Sequence, residues 1–146
     1  MSRPTASKAA EPVASTGPEW IGVVLVALSG ALAALLEALL VPYYVGSTIV
    51  PIAVLLAIAS NIALPRLARG LIPTTSAMAA PFMTWLIVMI GFGVIARPEG
   101  DVILPGGGGG LQWVTYGVLL GGALVGTVNL VVLTSPSARP ASTPGR

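Results

Sequence analysis

The chain has 146 residues, of which 55% are hydrophobic and only 8% are charged, and its formal net charge is +2. A soluble domain needs charged residues at roughly a quarter of its positions, so this composition excludes a soluble protein and predicts one covered by lipid. Cysteine and histidine are both absent from the sequence, which excludes disulfides and thiolate metal sites and removes the commonest general base. The basic residues form no patch with interleaved aromatics, so we expect no nucleic-acid partner.

The chain opens with a polar segment followed by a long apolar run. Residues 1–19 are rich in Pro, Ser, Thr and Ala and predict a disordered cytoplasmic tail. Residues 20–41 are apolar apart from Glu37, and at about 1.5 Å per residue they exceed a hydrocarbon core of about 30 Å. This run predicts a transmembrane helix with some tilt.

Three further apolar runs follow, at residues 48–65, 77–96 and 112–133. Their lengths are typical of single transmembrane helices. Pro81, inside the third run, predicts a helix that either begins near Ala80 or is kinked at the proline. The remaining segments are a loop of residues 97–111 and a second polar tail, residues 134–146, which we also predict to be disordered and cytoplasmic.

Four apolar runs predict an all-α, four-helix transmembrane bundle, because a backbone in hydrocarbon must satisfy its own hydrogen bonds. With four spans, both tails and the segment after the second run lie on the same side of the membrane. That side carries six of the seven basic residues: Arg3, Lys8, Arg66, Arg69, Arg139 and Arg146. Because basic residues favour the cytoplasmic side, we expect both termini inside. Six of the seven basic residues are Arg, and Ala, Gly, Pro and Val are abundant. This composition is typical of a GC-rich genome and indicates a bacterial plasma membrane.

Small residues in these runs predict the faces at which the helices meet, since membrane helices associate through close packing of Gly and Ala. In the first run, Gly30 and Ala34 lie on the same face as Glu37, so we expect that face to meet a neighbouring helix. The last run has two such faces, one with Gly117 and Gly121 and the other with Thr115, Gly122, Gly126 and Asn129. This helix is therefore predicted to contact two neighbours.

Glu37 is the only acidic or basic side chain inside any of the four runs. A charge in hydrocarbon is costly, so such a residue is a candidate functional site. A carboxyl that gains and loses a proton there could couple solute transport to a proton gradient. The alternative is a neutral carboxyl that hydrogen-bonds within the bundle or reaches outward, since Glu37 lies about five residues, roughly 7 Å, from the outer end of its run.

Two asparagines and two arginines are the other candidates. Asn61 and Asn129 lie toward the cytoplasmic ends of their helices, so we expect them in the same leaflet, where they either fix helix packing or contact a solute. Arg66 and Arg69 follow the second run in a predicted loop at the inner leaflet. Their charge suits anionic lipid headgroups, and it also suffices to determine topology.

The loop of residues 97–111 offers no cofactor or metal site. Glu99 and Asp101 are two carboxylates with no further ligands nearby in the sequence. The five glycines at 106–110 lack the Lys and Ser/Thr that a phosphate-binding loop requires, so we interpret them as a flexible spacer. We expect neither a metal nor a cofactor.

Four spans with one glutamate in the first resemble the small multidrug resistance transporters, which are dimeric, proton-coupled exporters of cationic aromatic compounds. The chain departs from that family in its long tails, in its longer 97–111 loop and in the position of Glu37 near a helix end. In composition and layout it is more similar to the small four-helix membrane proteins of unknown function found in actinobacteria. That second resemblance implies no activity.

The sequence brings together no nucleophile, base and oxyanion hole, so we expect no enzymatic activity. It predicts an accessory or structural subunit of a membrane complex, which partners the lipid bilayer and other membrane subunits or itself. The alternative is a proton-coupled transporter of small solutes centred on Glu37. Co-purification of a stoichiometric partner would favour the first, and a pH-driven flux in liposomes would favour the second.

Overall fold

The structure is a computed structural model that describes residues 17–94, 104 and 109–135. Within these residues the chain forms four long helices and a short antiparallel hairpin. The helices are α1 (Gly17–Leu40), α2 (Ile52–Leu71), α3 (Thr75–Val94) and α4 (Gly110–Thr134), and the strands are β1 (Tyr44–Val45) and β2 (Thr48–Ile49). The predicted all-α four-helix architecture is thereby confirmed.

Each of these four helices is long and apolar enough to cross a membrane. Their outer faces carry large aliphatic side chains: Leu55 is 67% exposed, and Ile87 and Leu120 are both 69% exposed. A continuous apolar surface of this kind is unfavourable in water and favourable in hydrocarbon. The chain is therefore a multi-pass membrane protein.

The helices extend beyond the apolar runs because backbone hydrogen bonding does not require apolar side chains. α1 begins at Gly17, so residues 17–19 belong to the helix rather than to the predicted tail. α2 continues through Pro65 to Leu71, which places Arg66 and Arg69 in its last turns rather than in a loop. Thr134, the first residue of the predicted second tail, ends α4, and Ser135 follows it. Residues 1–16 and 136–146 lie outside the described residues.

The starts of the second and third helices differ from the starts of the apolar runs. The second run does not begin as a helix, because its first residues form β2, which pairs with β1 across a turn at Gly46. Gly46 has a φ of +63°, a conformation that glycine adopts without strain. Pro81 lies inside α3, which begins at Thr75, so the helix does not start at the proline. Glu99, Asp101 and most of the 97–111 loop lie outside the described residues.

The core is formed by α1, α2 and α3, each of which packs against the other two. α4 packs mainly along α2 and also reaches α3. The centre of this core contains Ala34, Ala57 and the large side chains Trp85 and Met89. Small residues on α1 and α2 thus face bulky residues on α3, which allows the three backbones to approach closely.

Candidate functional site

Glu37 lies on the inner face of α1 and is fully buried, as the small residues aligned with it in the sequence predict. Both of its carboxyl oxygens are hydrogen-bonded. The indole Nε1 of Trp85 on α3 donates to Oε2 at 2.6 Å, and the hydroxyl of Ser60 on α2 donates to Oε1 at 2.8 Å. A single carboxyl therefore joins the three helices of the core.

The level of Glu37 within the bundle differs from the sequence-based expectation. It is close to the end of α1, yet Ser60 and Trp85 both lie near the middle of their 20-residue helices. The carboxyl is therefore level with the midpoints of α2 and α3. Its distance from the end of its own helix did not predict this, because α1 is offset along the bundle axis relative to the other two helices.

Ser60 gives Glu37 partners in either proton state. Its hydroxyl oxygen lies 2.8 Å from Glu37 Oε1 and 3.2 Å from the backbone carbonyl of Ala57. An ionised Glu37 accepts from Ser60 and Trp85 together. A protonated Glu37 donates to Ser60, which then donates its own hydrogen to Ala57, while Trp85 continues to donate to Oε2. Neither state leaves one of these groups unpaired.

Two glycines of α4 make room for an aromatic pair of α3. The rings of Phe82 and Trp85 are stacked, with centroids 6.2 Å apart and planes 14° apart. A Cβ on Gly122 would lie 2.6 Å from the Trp85 ring, and a Cβ on Gly126 would overlap the Phe82 ring. A larger residue at Gly122 therefore displaces Trp85, which holds Glu37, and one at Gly126 displaces Phe82, which stacks on Trp85.

Gly117 and Gly121 do not share a contact surface. A Cβ on Gly117 would lie 2.9 Å from a methyl group of Val54, whereas a Cβ on Gly121 would meet nothing within 4 Å. The segment from Gly117 to Gly121 is a π-helical turn. Because a π turn holds more residues than an α turn, glycines four apart across it no longer align. The sequence-based pairing assumed an uninterrupted α-helix.

Asn129 stabilises α2 at a position where its backbone hydrogen bonding is interrupted. Pro65 lacks an N–H, so the carbonyl of Asn61 cannot form its usual intrahelical bond. The Asn129 amide donates to that carbonyl and to the carbonyl of Ile62, both at 3.1 Å. The Asn61 side chain instead donates to Ala57 within its own helix at 3.0 Å. The two asparagines thus lie together through a backbone contact rather than an amide pair.

The two arginines after Pro65 point in different directions. Arg66 is exposed and lies at the edge of a groove of about 330 Å³ between α2 and α4. Arg69 is half-buried and lines a second cavity of about 240 Å³ near the start of α3. Neither of these two cavities is lined by Glu37.

Three residues make hydrogen bonds between helices that the sequence did not predict. Ser60 and Trp85 hold Glu37, and the hydroxyl of Thr84 on α3 donates to the α1 carbonyl of Ala27 at 2.6 Å. A hydroxyl within an apolar run is the only sequence signal for Ser60 and Thr84, and it does not distinguish a bond within the helix from one to a neighbour. Trp85 carries the only indole among the buried core residues, but its partner depends on helix orientation.

The chain matches no family model, no curated protein and no solved structure. The resemblances to the small multidrug resistance transporters and to the actinobacterial four-helix proteins therefore stay predictions from the sequence. Within the described residues no group of three or more Asp, Glu, His or Cys side chains could hold a metal ion. The described site can hold a carboxyl group, either protonated or ionised, where three helices meet.

Proposed function

We propose that this chain is a non-enzymatic structural or accessory subunit of a membrane complex, in a bacterial plasma membrane. The observation that supports it best is the arrangement of Glu37, whose two oxygens both accept bonds from neighbouring helices. A carboxyl bound in this way fixes the relative positions of α1, α2 and α3. It is not presented to a solute in either of the two cavities.

The surface available to a partner supports the same role. Outside the helices, the described residues form only the short hairpin and connecting segments. A partner would therefore meet the apolar outer faces of the helices. On α1 that face consists of Val24, Leu25, Leu28, Leu32, Leu35, Leu36 and Leu39, all of which are exposed.

Affinity purification after mild detergent extraction tests this proposal. We expect a membrane protein, or a second copy of this chain, to co-purify in stoichiometric amount, as measured by quantitative mass spectrometry. The control is an equally expressed, unrelated four-span protein with the same tag. Recovery of the chain as a monomer with no enriched partner would contradict the proposal.

A proton-coupled transporter of small solutes is the second candidate, and two observations favour it. The Glu37 carboxyl has partners in either proton state, and it lies level with the middle of α2 and α3 rather than at one end of the bundle. A carboxyl that exchanges a proton with both sides of a membrane requires both properties.

Reconstitution of the purified chain into liposomes separates the two candidates. A pH gradient is imposed across the liposomes, and proton flux is followed with an enclosed pH-sensitive dye, with and without cationic aromatic compounds. If the role is structural, liposomes that contain wild type or Glu37→Gln should be no more permeable to protons than empty liposomes. A flux with wild type that is lost in Glu37→Gln, while thermal unfolding is unchanged, would favour the transporter.

A further inference from the structure

The groove between α2 and α4 has an apolar wall and a cationic end. Its wall is formed by Ile62, Leu124, Val125, Val128 and Val132, and Arg66 lies at its edge with an exposed side chain. The lining side chains on α4 lie on the outer side of the bundle, so the groove opens toward lipid rather than toward the core. An apolar groove with one positive charge at its end is complementary to an anionic amphiphile.

A buried acceptor lies in the same wall. Asn129 is 5% exposed and lines the groove. Both hydrogens of its amide are used by the carbonyls of Asn61 and Ile62, which fixes the orientation of the group. Its Oδ1 is left without a hydrogen-bond donor among the described residues. This oxygen is itself fully buried, so it belongs to the contact between α2 and α4, and the groove offers an occupant its apolar wall and Arg66.

The length of the groove matches one leaflet. Along α4 the lining residues run from Leu124 to Val132, about 12 Å at 1.5 Å per residue. Half of a hydrocarbon core of about 30 Å is about 15 Å. Arg66 lies one helical turn beyond Ile62, toward the end of α2, so the charge is at the headgroup end and the apolar wall is at the acyl-chain end.

We propose that this groove is a binding site for an anionic phospholipid, such as phosphatidylglycerol. One acyl chain lies along the wall between Leu124 and Val132, and the phosphate pairs with Arg66. The site does not depend on the role of Glu37, and it goes beyond the structural function proposed above.

Native mass spectrometry of the purified chain with titrated lipids tests the site. Phosphatidylglycerol and phosphatidic acid, which are both anionic, should each bind more tightly than zwitterionic phosphatidylcholine. Arg66→Gln should weaken phosphatidylglycerol binding about fivefold, since a basic residue at the membrane surface contributes on that order. Arg69→Gln is the matched control, because Arg69 lies in the last turn of the same helix but does not line the groove.

A second pair of variants tests the apolar wall. Val128→Trp fills the groove and should reduce phosphatidylglycerol binding, whereas Val131→Trp, at an equally exposed position outside the groove, should not. Equal binding of phosphatidylglycerol and phosphatidylcholine, or equal losses in the two arginine variants, would overturn the proposal. A lipid-free dimer that Val128→Trp dissociates would also overturn it, because the groove would then hold a helix of a second copy.

Discussion

Trp85 and Glu37 share a buried hydrogen bond, so a substitution of either side chain must still satisfy the other. The indole N–H of Trp85 can only donate, and it lies in a core where Trp85 is 1% exposed. Glu37 supplies its acceptor, whereas the hydroxyl of Ser60 can turn to the carbonyl of Ala57 instead. Loss of the Glu37 carboxyl therefore leaves one group, the Trp85 N–H, without a partner.

We predict that Glu37→Gln keeps the stability of the wild type, because the Gln amide can accept from Trp85 and donate to Ser60. Glu37→Leu should lower the free energy of unfolding by about 1–2 kcal/mol, since it leaves the buried Trp85 N–H unpaired. Thermal unfolding in detergent measures both changes. The control is a double-mutant cycle with Trp85→Phe, in which Glu37→Leu should be less harmful. Equal damage from Gln and Leu would contradict this account of Glu37.

Asn129 acts on α2 through a carbonyl that Pro65 leaves without a donor. Asn129→Leu should lower the free energy of unfolding by about 1–2 kcal/mol, because the carbonyl of Asn61 is then left unpaired. With Pro65→Ala as background, residue 65 has an N–H that can bond to Asn61, so the same substitution should be milder. Denaturant titration of the four variants measures this difference. Identical effects of Asn129→Leu in the two backgrounds would show that the proline and the asparagine act independently.

At the scale of the helices, the glycines of α4 have different neighbours within one turn. Gly122 lies against the Trp85 ring, whereas Gly121, the preceding residue, has open space where a Cβ would be. Gly122→Ala should lower the free energy of unfolding by about 1–3 kcal/mol through overpacking. Gly121→Ala should leave it unchanged or slightly raised, because alanine favours a helix over glycine. Thermal unfolding of the two variants measures this difference. Equal stabilities of Gly122→Ala and Gly121→Ala would contradict this packing of α4.

The glycine pattern of α4 was only partly readable from the sequence. Gly122 and Gly126 are four apart within a regular α-helical segment, and both meet the stacked aromatic rings of α3. Gly117 and Gly121 are also four apart, but the π turn between them rotates one away from the other. A π turn has no reliable signature in a single sequence, because it depends on how the helix packs against its neighbours. Residue spacing therefore predicted one face and not the other.

At the scale of the whole molecule, the hairpin and the start of α4 lie at the same end of the bundle. A Cβ on Gly110 would lie 2.8 Å from a methyl carbon of Ile49 in β2. The turn between the strands, at Gly46 and Ser47, is exposed. This end is opposite the turn between α2 and α3, which follows the two arginines.

Single cysteines should report which end is outside. Because the chain has no native cysteine, Ser7, Ser47, Gly108 and Ser142 can each be replaced without background. We expect cysteines at 47 and 108 to react with an impermeant thiol reagent in intact cells, and those at 7 and 142 to react only after permeabilisation. The reason is the six-to-one distribution of basic residues between the two sides. The reverse labelling pattern would overturn the predicted orientation.

The sequence alone determined the class of the fold, the number of spans and the inward direction of Glu37. Long apolar runs specify helices in a membrane because no water is present to satisfy the backbone, and small residues aligned on one face predict where a helix packs. These properties are local, so each run carries its own signal. The same holds for the proximity of Asn61 and Asn129, because both lie past the middle of apolar runs that cross the membrane in the same direction.

Only the tertiary structure decided which partners the polar groups have and how the helices are offset. The bonds of Glu37 to Ser60 and Trp85, of Thr84 to Ala27 and of Asn129 to the carbonyl freed by Pro65 all join different helices. Their existence depends on the axial offset and rotation of helices, to which many side-chain contacts contribute weakly. The π turn of α4 and the groove beside Arg66 depend on the same offsets. The spacing of residues in the sequence gives their positions along one helix. It does not give the offset or rotation of that helix relative to another.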